Sequence, residues 1–259
     1  MMSVVETDAW LQTSWEKPIE MCEKLTFYFP NVPPTDIYRH FIMYGMYSTP
    51  LARGNEIIDN LKKKQFWKIV ADEEVTLKKK WDGPDVPIFI FPSDPNNVEL
   101  KEQFNGKSGL AFRDKLFLFL ADYNTKHDIQ ALFTHEYNHV CRLNKYNKNE
   151  ADYILLDTII LEGLAENAVR ERWNGKFTAH WTTHYTEEEL HDMWRQFVLP
   201  FYDLPKHHPK HQQILYGWHF YPKMTGYCVG YYLVKRYMKK YKQTVKDLLP
   251  IPSEEIAQI

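Results

Sequence analysis

His135-Glu136-Tyr137-Asn138-His139 is the stretch with the clearest capacity for chemistry, and Glu162-Gly163-Leu164-Ala165-Glu166 follows it after 22 intervening residues. On an α-helix, His135 and His139 stand one turn apart on one face, so both imidazoles can reach a single metal ion. Glu136 beside them supplies the carboxylate that an H-E-x-x-H pattern uses to take a proton from a water activated by the metal. Catalytic zinc usually has three protein ligands and one open position, so a third ligand must come from elsewhere. Glu162 is the candidate, with Glu166 as the substitute. Two carboxylates on an otherwise apolar stretch are costly to bury unless paired or metal-bound. One ligand and one outer partner, a hydrogen-bond acceptor that orients an imidazole, account for both. Asp157 could serve as that acceptor too, but its position reads as a helix surface charge.

The elements that must position these residues are helices. Asn124 or Thr125 can cap the first, and Ile129, Leu132, Phe133, Val140 and Leu143 recur at helical spacing. A polar turn over residues 144–148 leads to a second helix, which the capping-box relation of Asn147 and Glu150 starts near residue 147 or 149. Gly175 ends it. Upstream, the pattern predicts a helix from a Ser14 cap through Phe29, another from Thr35 or Asp36, and a third running from Asn55 toward Trp81. Asp82-Gly83-Pro84 breaks that pattern. Residues 86–91 read as a buried strand, and Gly109–Phe112 with Lys115–Leu120 as a hairpin. Thr186 and Glu189 box a helix through Val198; residues 203–213, with His207, His208 and His211, read as a surface loop; a long helix spans 224–241. Pro250 starts a tail to which the pattern assigns no role. The expected domains are a helical N-terminal subdomain over 1–84 and a catalytic domain over 85–259.

The H-E-x-x-H helix followed by Glu162-Gly163-Leu164-Ala165-Glu166 resembles the gluzincin class of zinc metallopeptidases. With Gly109-Leu110-Ala111-Phe112 and Gly226-Tyr227-Cys228-Val229-Gly230-Tyr231, it resembles more closely a family of predicted zinc-dependent proteases. The likeness covers roughly residues 85 to 240, and its spacer between the two metal motifs is longer than in aminopeptidase-type gluzincins. It implies a mainly helical α+β fold: a gluzincin-like metalloprotease core with a small sheet or hairpin packed on the H-E-x-x-H helix. It implies Zn2+ on His135, His139 and Glu162, with Glu136 as the catalytic carboxylate. It also implies that residues 108–112 receive the substrate backbone as an extra strand. An oxyanion needs a donor besides the metal; Tyr227, flanked by Gly226 and Gly230, is the first candidate and His219 the second.

Composition bounds the alternatives. Thirty-two basic and 34 acidic residues leave a formal charge of −2, which gives no electrostatic footprint for nucleic acid. A chain with 44% hydrophobic residues has enough apolar content for a substantial core, yet no run reaches the ~18 apolar residues of a membrane span. Cys22, Cys141 and Cys228 are odd in number and lie in apolar patterns, which suits buried thiols. No secretory signal is evident in the first residues, so the expected location is the cytoplasm and the expected partner a peptide or protein substrate. A zinc-containing binding or adaptor protein is the alternative; retention of Glu136 speaks against it, since a structural zinc site has no use for that carboxylate.

Overall fold

The computed structural model describes residues 3–50 and 53–259. The chain forms two compact units, residues 1–137 and 138–259, and the division falls inside a single continuous helix.

The first unit is built on a three-stranded sheet. Helices α1 (Thr7–Ser14), α2 (Pro18–Glu23), α3 (Pro34–Met43), α4 (Gly54–Lys63) and α5 (Phe66–Trp81) precede β1 (Ile88–Pro92); α6 (Val98–Phe104), β2 (Ser108–Ala111) and β3 (Leu116–Leu120) follow. Ser14 thus ends a helix rather than capping one. The span 55–81 is two helices because Gln65 takes a left-handed conformation, φ 59°, between them. β3 lies in the centre, parallel to β1 and antiparallel to β2. Ile88-Phe89-Ile90-Phe91 and Leu116-Phe117-Leu118-Phe119 are buried throughout, as continuous apolar strands covered on both faces should be. Phe89, Phe91, Phe117 and Phe119 share a core with Leu11, Met21, Ile37 and Phe41. β1's outer edge is met by Val4, whereas β2 is only partly buried and its outer edge meets no strand among the described residues.

Helix α7 (Lys126–Lys145) starts at Thr125, whose hydroxyl accepts from the Asp128 amide while the Asp128 carboxylate accepts from the Thr125 amide. The second unit continues with α8 (Leu155–Trp173), α9 (Glu187–Met193), α10 (Pro209–Tyr216), α11 (Thr225–Tyr241), α12 (Val245–Leu248) and α13 (Ser253–Ala257). The expected Asn147 box is not what starts α8. A 3-10 turn, Glu150–Asp152, intervenes, and the Asp157 carboxylate accepts from the Ile154 amide instead. α8 and α11 run parallel in close contact: a methyl group on Gly163 would overlap the Gly230 carbonyl, while Asn167 Nδ2 donates to Tyr231 O at 3.0 Å and Arg170 reaches Met238. No helix among the described residues is long and apolar enough to cross a membrane.

Candidate metal centre

His135 and His139 lie on α7 and Glu162 on α8, and each offers a ligand atom within 4.8 Å of the others. His139 Nε2 stands 3.7 Å from Glu162 Oε2. Two tetrahedral ligands about 2.0–2.1 Å from one zinc ion would be roughly 3.4 Å apart, so the donor set fits the metal in both chemistry and spacing. His139 is buried and the other two are half-buried, as a site needs that must exclude bulk water yet admit a substrate.

Glu136, itself buried, lies over β2. A methyl group added to Gly109 would overlap the Glu136 Cγ and carboxyl carbon, so only glycine leaves this carboxylate its place. The same helical turn is fixed by aromatic packing: Tyr137 stacks on Phe133 and Trp81, with ring centroids 5.4 and 6.2 Å away, and its hydroxyl donates to Pro84 O at 2.8 Å.

On α8, Glu166 Oε1 accepts from the Ala179 amide at 2.5 Å and so ties down the turn that carries Trp181. Burial and the Glu166 carboxylate both raise the Tyr231 phenol above its ordinary pKa, against the pull of Arg170. Because the helices are parallel, one turn back from Glu166 and Tyr231 stand Glu162 and Tyr227. Tyr227 packs edge-on against Trp181, ring centroids 5.5 Å apart, and is half-buried. His219 is exposed, in a loop between α10 and α11, at φ 62°.

The model of the family described as "Predicted Zn-dependent protease (DUF2268)" matches residues 66–258. The chain is also 44% identical to YjaZ of Bacillus subtilis over 218 residues, which cover 84% of this chain and 83% of YjaZ. This chain belongs to the predicted Zn-dependent protease family. YjfC of the same organism is a more distant relative, 22% identical over 68% of this chain and 61% of its own length. No solved structure matches the chain.

In this predicted Zn-dependent protease, the helices carrying His139 and Glu162 are joined by a buried polar network that the sequence did not announce. Arg142, one turn past His139, donates to Leu249 O and Ile251 O at 2.7 and 2.6 Å, and to Ser253 Oγ at 3.3 Å. Ser253 Oγ donates to Asp157 Oδ1 at 2.7 Å, and Asp157 also accepts from Tyr146 and Lys148. Asp157 is therefore a buried hub rather than a surface charge. Burial lowers the Arg142 guanidinium to about 10 despite the neighbouring Tyr153, Tyr146 and Asp157. The tail after Pro250, whose role the sequence left open, is the clasp of this network. His211, expected in a surface loop, lies on α10 with its ring buried, and Nε2 is 3.2 Å from Thr158 Oγ1, one turn before Glu162. Cys22, Cys141 and Cys228 are buried thiols, as expected.

Proposed function

We propose that the protein is a zinc-dependent peptidase of gluzincin type, with His135, His139 and Glu162 as ligands and Glu136 as general base. The observation that carries this reading is the three-donor cluster with the next carboxylate in the helix, Glu136, seated over a glycine of an edge strand. Zinc, when bound, supplies Lewis acidity toward a peptide carbonyl and acidifies water to a pKa of ~7. Glu136 takes the proton of the attacking water and delivers it to the leaving amine. β2 offers its outer backbone groups to an extended peptide, which would add as a further strand beside Glu136. Tyr227, level with Glu162, donates to the developing oxyanion, a contribution commonly worth about 3 kcal/mol; His219 is the second candidate. Glu166 steadies the ligand helix by holding Ala179 and is the candidate partner for a ligand imidazole. The buried thiols suit a reducing compartment such as the cytoplasm.

Elemental analysis of the purified protein should find about one zinc per chain, lost in His139→Ala. Glu136→Gln should keep that zinc while hydrolysis of unstructured peptides falls at least ~100-fold. Zinc with no hydrolysis by the wild type would instead leave a zinc-containing binding protein, and no zinc at all would withdraw the reading.

A further inference from the structure

The segment between α10 and α11, Gly217-Trp218-His219-Phe220-Tyr221-Pro222-Lys223-Met224, is closed and braced. Met224 N donates to Tyr216 O at 2.9 Å and Trp218 N to Gln213 O at 2.8 Å, while the Tyr185 hydroxyl donates to Lys223 O at 3.0 Å. His219 and Met224 are both left-handed, at φ 62° and 58°, a strained conformation for residues with side chains that persists where surroundings enforce it and recurs at ligand clamps. On this frame Phe220 is 95% exposed and Trp218 52%. Two large apolar rings held in solvent on one short braced loop are more than the single scattered exposures of an ordinary surface.

The Trp218 ring does not stand alone. Trp218 stacks on Tyr216 with centroids 5.2 Å apart and an interplanar angle of 17°, Tyr216 meets Tyr227 at 5.6 Å, and Tyr227 meets Trp181 at 5.5 Å. This ladder leads from the exposed loop to Tyr227, which is level with the ligand Glu162. We propose that Trp218 and Phe220 form an apolar subsite that takes a bulky apolar side chain of the peptide substrate near the scissile bond. The inference deepens the peptidase reading and rests on it. Its occupant is a substrate side chain because the rings run in contact from Trp218 through Tyr216 to Tyr227, the donor proposed for the oxyanion, with Phe220 two residues further along the same braced loop. A pre-ordered loop also spares the ordering cost that a mobile one would impose on binding.

The test uses the full-length, zinc-loaded Glu136→Gln protein, which binds peptide without consuming it, and blocked octapeptides that differ at one position among Phe, Leu, Ala, Ser and Asp. Peptides with Phe or Leu should bind more tightly than those with Ser or Asp. Adding Phe220→Ala should weaken only the former, roughly tenfold. Phe220→Leu should restore most of the preference, and Phe27→Ala, at an 85% exposed phenylalanine on the first unit, should leave it unchanged. Peptide binding with no apolar preference, or with a preference that survives Phe220→Ala, would overturn the subsite and leave the peptidase reading standing. Loss in Phe220→Ala of binding to phosphatidylcholine vesicles, or of self-association in sedimentation, with peptide affinity intact would assign the loop to a lipid surface or a second copy and overturn the proposal. Zinc loading without affinity for any peptide would count against the peptidase reading itself, and the subsite would fall with it.

Discussion

Two sets of polar groups, one buried and one partly buried, lie within a few helical turns of each other on α7 and α8, and they are organised on different principles. Around Asp157 each group meets its complement: the carboxylate accepts from Ser253, Tyr146, Lys148 and the Ile154 amide, and Arg142 donates to the carbonyls of Leu248, Leu249 and Ile251. At His135, His139 and Glu162, imidazole nitrogens and a carboxylate converge within 4.8 Å of one another, a set that can present several lone pairs to one cation. A balanced set braces the helices, whereas a convergence of lone pairs suits a cation. Burial of charge alone therefore does not identify a site; the kind of atoms that converge does.

The contrast can be broken by substitution. Arg142→Met removes the brace's cation and leaves its backbone acceptors buried, and should cost about 3–5 kcal/mol in urea unfolding. The protein that remains folded should keep its zinc; loss of metal from folded Arg142→Met would show that brace and metal cluster are one system. Gly109→Ala should act in the opposite sense, preserving stability and zinc while displacing Glu136, with a fall of about 100-fold in peptide hydrolysis. An unchanged rate would remove Glu136 from the chemistry or β2 from its support. His211 supplies a third test. Burial lowers the His211 imidazole to about 4 from an ordinary 6.5, with Lys206 adding to the effect. Below pH 6.5 the unfolded chain takes up a proton that the folded one refuses until about pH 4, so this contribution is present above pH 6.5 and lost as pH falls. Between pH 7 and 5 the loss amounts to about 2 kcal/mol, and His211→Gln should abolish it. Equal pH dependence in the two proteins would show that His211 is not the group responsible.

The candidate metal cluster was legible in part because helical periodicity alone places residues 135 and 139 on one face, with Asn124 or Thr125 available as the cap; the Thr125–Asp128 box that starts the helix came from the structure. The strands were legible for a similar reason: the apolar run 86–91 lies between Asp82-Gly83-Pro84 and Pro92, and 115–120 follows the turn at Arg113-Asp114, whereas the parallel pairing of β1 with β3 was not. What escaped were features set by distant partners. Asp157 reads as a surface charge until Ser253, 96 residues later, is brought against it. His211 sits among lysines and prolines, and nothing local shows that its ring turns inward to Thr158. Gly109 could be recognised as part of a hairpin, but its crowding against Glu136 depends on how the sheet meets α7. The split between α4 and α5 hides in Gln65, whose left-handed backbone follows from tertiary packing rather than residue type.

The Ser253 clasp also sets an order of events during synthesis. Arg142 is made 111 residues before Ser253, an interval of roughly 5 to 20 s at the usual elongation rate of about 5–20 residues per second. Through that interval Arg142 and Asp157 cannot complete their burial and must stay hydrated. The nascent second unit thus carries an open seam beside the helices of His139 and Glu162 until the turns around Ser253 leave the ribosome.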